Sequence, residues 1–439
     1  MKNKKRMAAM VLAASMALTA FAGCGSTQET KQADTASDTA SGETAEKSEN
    51  TEASATKEAK ESITLTIAAR GGSHVDVIEA VKEKYEEEHN VKIEVLGLEA
   101  DDLKQKVSLD ASNPEGAYDL VMVDDPVMPE FADAGVLLDL TENGYEDDSD
   151  FVEASLAVGK NPYGTGDTYA LPFAGNVQLF FYNEEVLKEL GAEVPTSWEE
   201  VLETATKAKE AGKNGYVIRG QQGNPIVSDY LPILWAYGGD VFDDDWNVTI
   251  DSEEAKEALE MYCDLLAQGV NYEKNDIVSS VADGSSAMAL GWPSWFISGE
   301  DAQAAYAEVP AKVSSSAEEC QTGMIGNWMM GVAANSTHKE EAIELLKYLT
   351  SEEVQKEAVD KGGVPTRTSV FTDTAIIEKY PYFATIYEGT KNSVVRPRTE
   401  KWSNVEEALG IELSNVISGV KTVEEGLADA KTAIEDIMK

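Results

Sequence analysis

Positive charge is scarce in this 439-residue sequence: 36 Lys and Arg stand against 80 Asp and Glu, for a net charge of -44. Binding to a phosphate backbone needs clustered Lys and Arg, so nucleic acid is excluded as a partner. Cysteine is scarce too. With three in all, at 24, 263 and 320, the chain has neither a disulfide framework nor a zinc pattern. Export permits a Cys263–Cys320 bridge, but nothing in the spacing demands one, and Cys263 sits in an amphipathic run that reads as a buried thiol. The three His residues are scattered at 74, 89 and 338. No metal or other cofactor is expected. Asp243, Asp245, Asn247, Thr249, Asp251 and Glu254 approach calcium-loop spacing, but Val248 stands where the turn needs Gly, so a hairpin before a capped helix is expected. Gly71-Gly72-Ser73 follows a strand without either nucleotide-loop pattern.

Long apolar runs are missing as well. The most apolar stretch, Met7 to Ala22, has 16 residues and follows the basic Lys2, Lys4, Lys5 and Arg6. A bilayer span takes roughly 20 residues, so 1–23 reads as an export signal. Its end, Phe21-Ala22-Gly23-Cys24-Gly25, resembles a lipobox. That resemblance implies lipidation of Cys24, which becomes the mature N-terminus on the outer face of the cell membrane. Several acyl chains on one residue anchor stably, whereas one alone binds marginally. Residues 24–61 contain no aromatic residue and no apolar periodicity, so they read as a disordered tether.

What is present begins at residue 62. Ile63, Leu65 and Ile67 alternate with Thr64 and Thr66, a strand pattern, and Ile78, Val81 and Tyr85 recur at helical spacing. Strands at 91–98 and 118–123, separated by a helix from about Asp101, imply a parallel sheet with right-handed crossovers. In such a sheet the ligand crevice lies at the carboxyl ends of the strands. Those ends are Arg70 to Ser73, the segment around Glu99, and Asp124-Asp125-Pro126. The run 170–183 reads as a strand passing from one lobe into another. Further strands are expected at 286–290 and 326–334, with helices from about Ser336 onward. Capping-box spacing recurs at Thr196–Glu199, Asp251–Glu254 and Thr422–Glu425. The 378 residues or so beyond the tether exceed what one core usually covers.

Several segments, taken in order, resemble extracellular solute-binding proteins of the maltose-binding type, the carbohydrate-binding subunits of ABC importers. They include YDLVMVDDPVMPEFADAGVLLDL (118–140), YALPFAGNVQLFFYN (169–183), VPTSWEEVLETATKAKEAG (194–212) and GSSAMALGWPSWF (284–296). They continue with GNWMMGVAANSTHKEEAIELLKYLTSEEVQ (326–355), GGVPTRTSV (362–370), VRPRTEKWSNVEEALG (395–410) and the terminal VEEGLADAKTAIEDIM. The resemblance implies a bilobal α/β fold, periplasmic-binding-protein-like, whose lobes are joined by a hinge of about three chain crossings. The expected division is 62–173 plus 330–372 for the N-lobe and 174–329 plus 373–439 for the C-lobe. It also implies a monomer that closes on its ligand and docks on permease subunits.

Sugar rings present apolar C–H faces and polar edges, so aromatic faces rimmed by hydrogen-bonding groups suit them. Trp292 and Trp295, broken from their strand by Pro293, are expected in a loop, and the resemblance puts that loop on the cleft side. It implies the same of Trp402 and Trp235, while Trp328 is divided between core and ligand. Polar contacts are expected from Arg70, Asp124, Asp125, Asn176 and Arg396, with one of the two aspartates free to cap the helix after Pro126. Rich aromatics favour an oligosaccharide; polyols and glycosidic phosphates stay open. The other readings are an extracellular glycosidase, which needs two flanking carboxylates and shows no catalytic motif, and a sensor subunit of the same fold.

Overall fold

A computed structural model describes residues 62–296, 304–312 and 323–439. The expected signal, Cys24, the tether and Cys320 lie outside the described residues. Cys263 has a free thiol, half-buried in the helix Glu253–Ala267.

The chain first builds β1 (Ile63–Arg70), β2 (Val91–Leu98) and β3 (Leu120–Asp124), alternating with helices Ser73–His89 and Ala100–Asp110. β1 pairs in parallel with both β2 and β3. Leu65, Ile67, Ala68 and Ala69 are all fully buried, because helices cover both faces of this sheet and remove the need for strict alternation. Val77, Ile78, Val81 and Tyr85 form the buried stripe of the first helix, which stops at Asn90 in the left-handed region, φ 53°.

A short hairpin, β4 (Lys160–Asn161) and β5 (Asp167–Thr168), precedes β6 (Ala170–Ala174) and β7 (Leu179–Asn183). The apolar run 170–183 is therefore two strands in two sheets. Next come β8 (Asn214–Ile218), β9 (Val270–Asn271), β10 (Ser286–Gly291), β11 (Ala304–Ala307) and β12 (Trp328–Val332). One five-stranded sheet runs β2-β1-β3-β12-β6, the other β11-β7-β10-β8-β9. Neither is wholly parallel. β12 is antiparallel to both β3 and β6, and β7 is antiparallel to β10 and β11. These strands enter directly from the opposite sheet, so the crossing sets their direction, not a helical return.

The crossing segments are stitched together by backbone hydrogen bonds. Gly326 N–H donates to Asn176 O (2.8 Å), Gln178 N–H to Met324 O (2.8 Å), Ile325 N–H to Val394 O (2.9 Å) and Gly175 N–H to Val364 O (2.9 Å). One core packs Leu65, Ile67, Val121, Met330 and Leu345 around the first sheet; another packs Trp198, Tyr216, Tyr230 and Leu234 around the second. A smaller cluster of Val177, Leu179, Phe181, Val364, Phe371 and Phe383 ties the crossings to the helices that follow.

Helix starts obey capping chemistry, shifted by a residue in two of three cases. Ser197 and Ser252 accept from the backbone N–H groups of Glu200 and Ala255, one residue later than the spacing suggested. Thr422 and Glu425 form the full reciprocal box. The acidic stretch after Phe242 is a turn in which the Asp243 carboxylate accepts from Asp245 and Asn247 N–H. Among the described residues no helix is long and apolar enough to cross a membrane.

At Gly175 a Cβ would lie 2.1 Å from the Pro365 carbonyl oxygen, so two crossings approach too closely for any side chain. Gly175→Ala is expected to cost about 1–3 kcal/mol, as overpacking does. Urea unfolding would check this, and an unchanged midpoint would contradict the close approach.

Candidate functional site

Four strand ends meet at one place. β1 ends at Arg70, β3 at Asp124, β8 delivers Arg219 and β10 delivers Trp292, all on the wall of a cleft of about 1160 Å³. This is the carboxyl-end crevice of an open α/β sheet, here built twice and turned face to face. The crossing residues Asn176 and Gly326 form its floor.

Aromatic faces supply the apolar part of the wall. Trp292, Trp295 and Trp328 line it, joined by Tyr380 and Tyr382. Pro293 ends β10 and begins a single helical turn, Pro293–Phe296, in which Trp295 N–H donates to Trp292 O (2.8 Å). The Trp292 ring packs on the floor, where a Cβ on Gly326 would come within 2.2 Å of it. Trp328, at the first position of β12, has its ring centroid 5.7 Å from that of His74.

The polar groups are held individually. Arg70 donates to Leu98 O (3.1 Å) and pairs with Glu99 at 2.8 Å. Asp124 faces the cleft with Arg396 at 3.6 Å; burial pushes its carboxyl up to about 7, against the pull of that guanidinium. Asp125 turns inward, 1% exposed, and accepts a hydrogen bond from Arg396. Neither aspartate side chain caps the helical turn after Pro126. Arg398 adds bonds to the Asp125 carbonyl (2.5 Å) and Val158 O (2.7 Å), tying the 394–398 segment to the end of β3. Asn176 N–H donates to Asn327 Oδ1 (3.0 Å), while its own Oδ1 and the His74 Nδ1 are buried without a partner.

The structure thus gathers Arg70, Asp124, Asn176, Trp292, Trp295, Trp328 and Arg396 at one cleft. Asp125 is not on its wall, because its carboxylate is consumed by Arg396. Trp235 and Trp402 are also corrected. Trp235 belongs to the helix Asn224–Ala236, buried along nearly its whole length, and its ring packs in the second core while its indole N–H reaches the Asp240 carboxylate at 3.4 Å. Trp402 is 1% exposed, in one row with Val405, Leu409 and Leu413 against the same core.

His74, Arg219, Lys274, Tyr380 and Tyr382 line the cleft without having been expected there. Arg219 had a usable signal, since it follows an apolar strand just as Arg70 does. Lys274 and the two tyrosines have no local signal.

A profile of the family described as bacterial extracellular solute-binding protein matches residues 71–356, well over half of the sequence. The chain belongs to the bacterial extracellular solute-binding proteins. A probable amino-acid ABC transporter periplasmic-binding protein of Sinorhizobium fredii is 23% identical over 84% of this chain and 88% of its own. The maltose-bound binding protein of T. maritima aligns with a TM-score of 0.77 and 24% identity, covering 86% of this chain and all of the other. The GacH receptor of Streptomyces glaucescens, solved unliganded and with acarbose, gives 0.76 and 25% over 86% and 98%. The fold of this solute-binding protein is bilobal, its cleft lies between the lobes, and its function is to bind a solute outside the cell.

Burial first, and the Arg70 charge second, lower the His74 imidazole to about 4. An unfolded imidazole takes up its proton near 6.5, so neutral His74 stabilises the fold fully above that pH, and this contribution is lost as pH falls toward about 4. The shift corresponds to about 3 kcal/mol. The wild-type protein should lose about that much more stability than His74→Gln between pH 7 and pH 4 in urea unfolding. Parallel pH dependence of the two would contradict the burial of a neutral imidazole.

Proposed function

We propose that this solute-binding protein takes a carbohydrate into the cleft, closes its lobes on it and presents it to a permease without chemical turnover. The observation that carries the reading is the set of three indoles lining one cleft, Trp292 and Trp295 from the second lobe and Trp328 from the first, together with Asp124, Asn176, His74 and Arg396. Flat apolar faces beside fixed donors and acceptors match the two sides of a pyranose ring. Sugars named for structural neighbours, maltose and acarbose, agree with this chemistry. The Sinorhizobium fredii relative, a probable amino-acid binding protein, supports a different ligand, and a panel distinguishes them.

The moving bodies are the two sheets with their helices, close to the expected 62–173 plus 330–372 and 174–329 plus 373–439 but with all of β6 (to Ala174) and β12 (from Trp328) in the first, the exchange taking place in the stitched crossings. Contacts from both walls exist together only in the closed form, so the ligand draws the population toward closure. A lipid on Cys24 and the tether hold the monomer at the outer face of the membrane.

Binding to the native state alone raises apparent stability, so a thermal-shift panel of sugars, polyols and amino acids should give its largest rise with a sugar. Trp295→Ala is expected to weaken that sugar by about tenfold or more in calorimetric titration, about 1.4 kcal/mol. Unchanged affinity, or hydrolysis of labelled oligosaccharides at catalytic amounts of protein, would overturn the proposal.

A further inference from the structure

A chain with 80 acidic residues and 36 basic ones would be expected to surround every cation with carboxylates. The middle of the cleft does the opposite. Arg219 and Lys274 flank Trp295, with the guanidinium carbon 5.2 Å and the ammonium nitrogen 5.7 Å from its ring centroid. Among the described residues, neither side chain has a carboxylate within ion-pair distance. The largest compensating charge on Arg219 comes from Asp229, but that carboxylate accepts from the Arg219 backbone N–H (3.0 Å) and the Tyr262 hydroxyl (3.0 Å). Arg70 reaches the same space from the other lobe. Its partner Glu99 is 79% exposed, a pairing that water and salt weaken.

The acids nearby offset this group only in part: Asp229, Glu406 and Asp124 draw on the Arg219 charge, yet burial outweighs them. Asp124 is committed to Arg396, Asp360 pairs with Lys379, and Asp76 stands exposed on the rim. Burial, followed by the charges of Arg70 and Arg219, depresses the Lys274 ammonium, so the three cations feel one another across the cleft. Holding like charges together in a partly desolvated space costs stability unless an anion joins them. The indole face supplies only part of that compensation.

We propose that Arg219 and Lys274, completed by Arg70 from the opposite lobe, form an anionic subsite, so that the ligand is a carbohydrate carrying a carboxylate or phosphoryl group. The inference rests on the carbohydrate reading and narrows it. The Trp295 face takes the ring, and the cations beside it take the charge. An arginine offers a planar fork suited to two oxygens of either anion, and a lysine adds a point charge. Because one cation comes from the other lobe, the anion is fully neutralised only on closure, which couples ligand charge to lobe movement.

The test is calorimetric titration of the full mature protein with matched sets: galactose, galacturonate and galactose 1-phosphate, and the corresponding glucose and mannose sets. In at least one set an acidic member should bind about tenfold or more tighter than its neutral counterpart, and raising salt should shrink that preference. The carboxylate and phosphate arms identify which anion fits. Arg219→Gln and Lys274→Gln should each reduce the ratio of acidic-sugar to neutral-sugar affinity by about tenfold, each variant being compared with itself. Lys347→Gln, remote from the cleft, should change nothing, and melting curves establish that each variant is folded. The salt dependence of the wild type provides a readout free of any variant. Neutral sugars that bind as tightly as acidic ones, or a preference that survives both substitutions, would overturn the anionic subsite alone. Failure of every neutral and acidic sugar to bind would overturn the carbohydrate reading with it.

Discussion

The rest of the molecule depends on the seam where the crossing segments run side by side. Residues 175–178 and 323–327 exchange backbone hydrogen bonds, and Val394 joins them through Gly323 and Ile325. Buried peptide groups must find partners, and here they find them on strands travelling between lobes. That fixes the segments relative to one another while leaving each sheet attached by only a few residues. The seam is also the floor of the cleft, through Asn176 and Gly326. Hinge and binding floor are therefore the same residues.

Next to the seam lies a largely buried charge cluster. Arg396 is bonded to Asp125, with Asp124 at 3.6 Å and Glu406 at 3.9 Å. Buried pairs of this kind contribute little net stability, yet removing one member leaves an uncompensated charge. Their geometric consequence is clearer. By holding Asp125 inward, Arg396 leaves Asp124 as the carboxylate facing the cleft at the end of β3. Arg398 fastens the same segment to backbone carbonyls of the first lobe. The two arginines thus register the second lobe's return segment against the first lobe's strand end.

Much of the fold was legible because local and global signals agreed. The alternation in β1, the apolar run of β3 and the helical row Ile78, Val81 and Tyr85 each need only nearby residues to be read. Strand direction was not legible: nothing within WMMGV shows that it returns from the other lobe antiparallel to β3. The site divided along the same line. Pro293 showed that Trp292 and Trp295 leave their strand, the family resemblance put them on the cleft side, and Arg70 was expected there because it follows a strand. Trp235 and Trp402 misled because a buried and a cleft-facing tryptophan share the same local sequence character, and only packing separates them. Lys274, Tyr380 and Tyr382 reach the cleft solely through tertiary arrangement.

The central claim is that this cleft closes on a carbohydrate. Small-angle X-ray scattering of the mature protein, alone and with saturating members of a sugar and amino-acid panel, tests it most directly. The account predicts that a sugar shrinks the radius of gyration and that amino acids leave it unchanged. Contraction with an amino acid and not with any sugar, or sugar binding with no contraction, would contradict it.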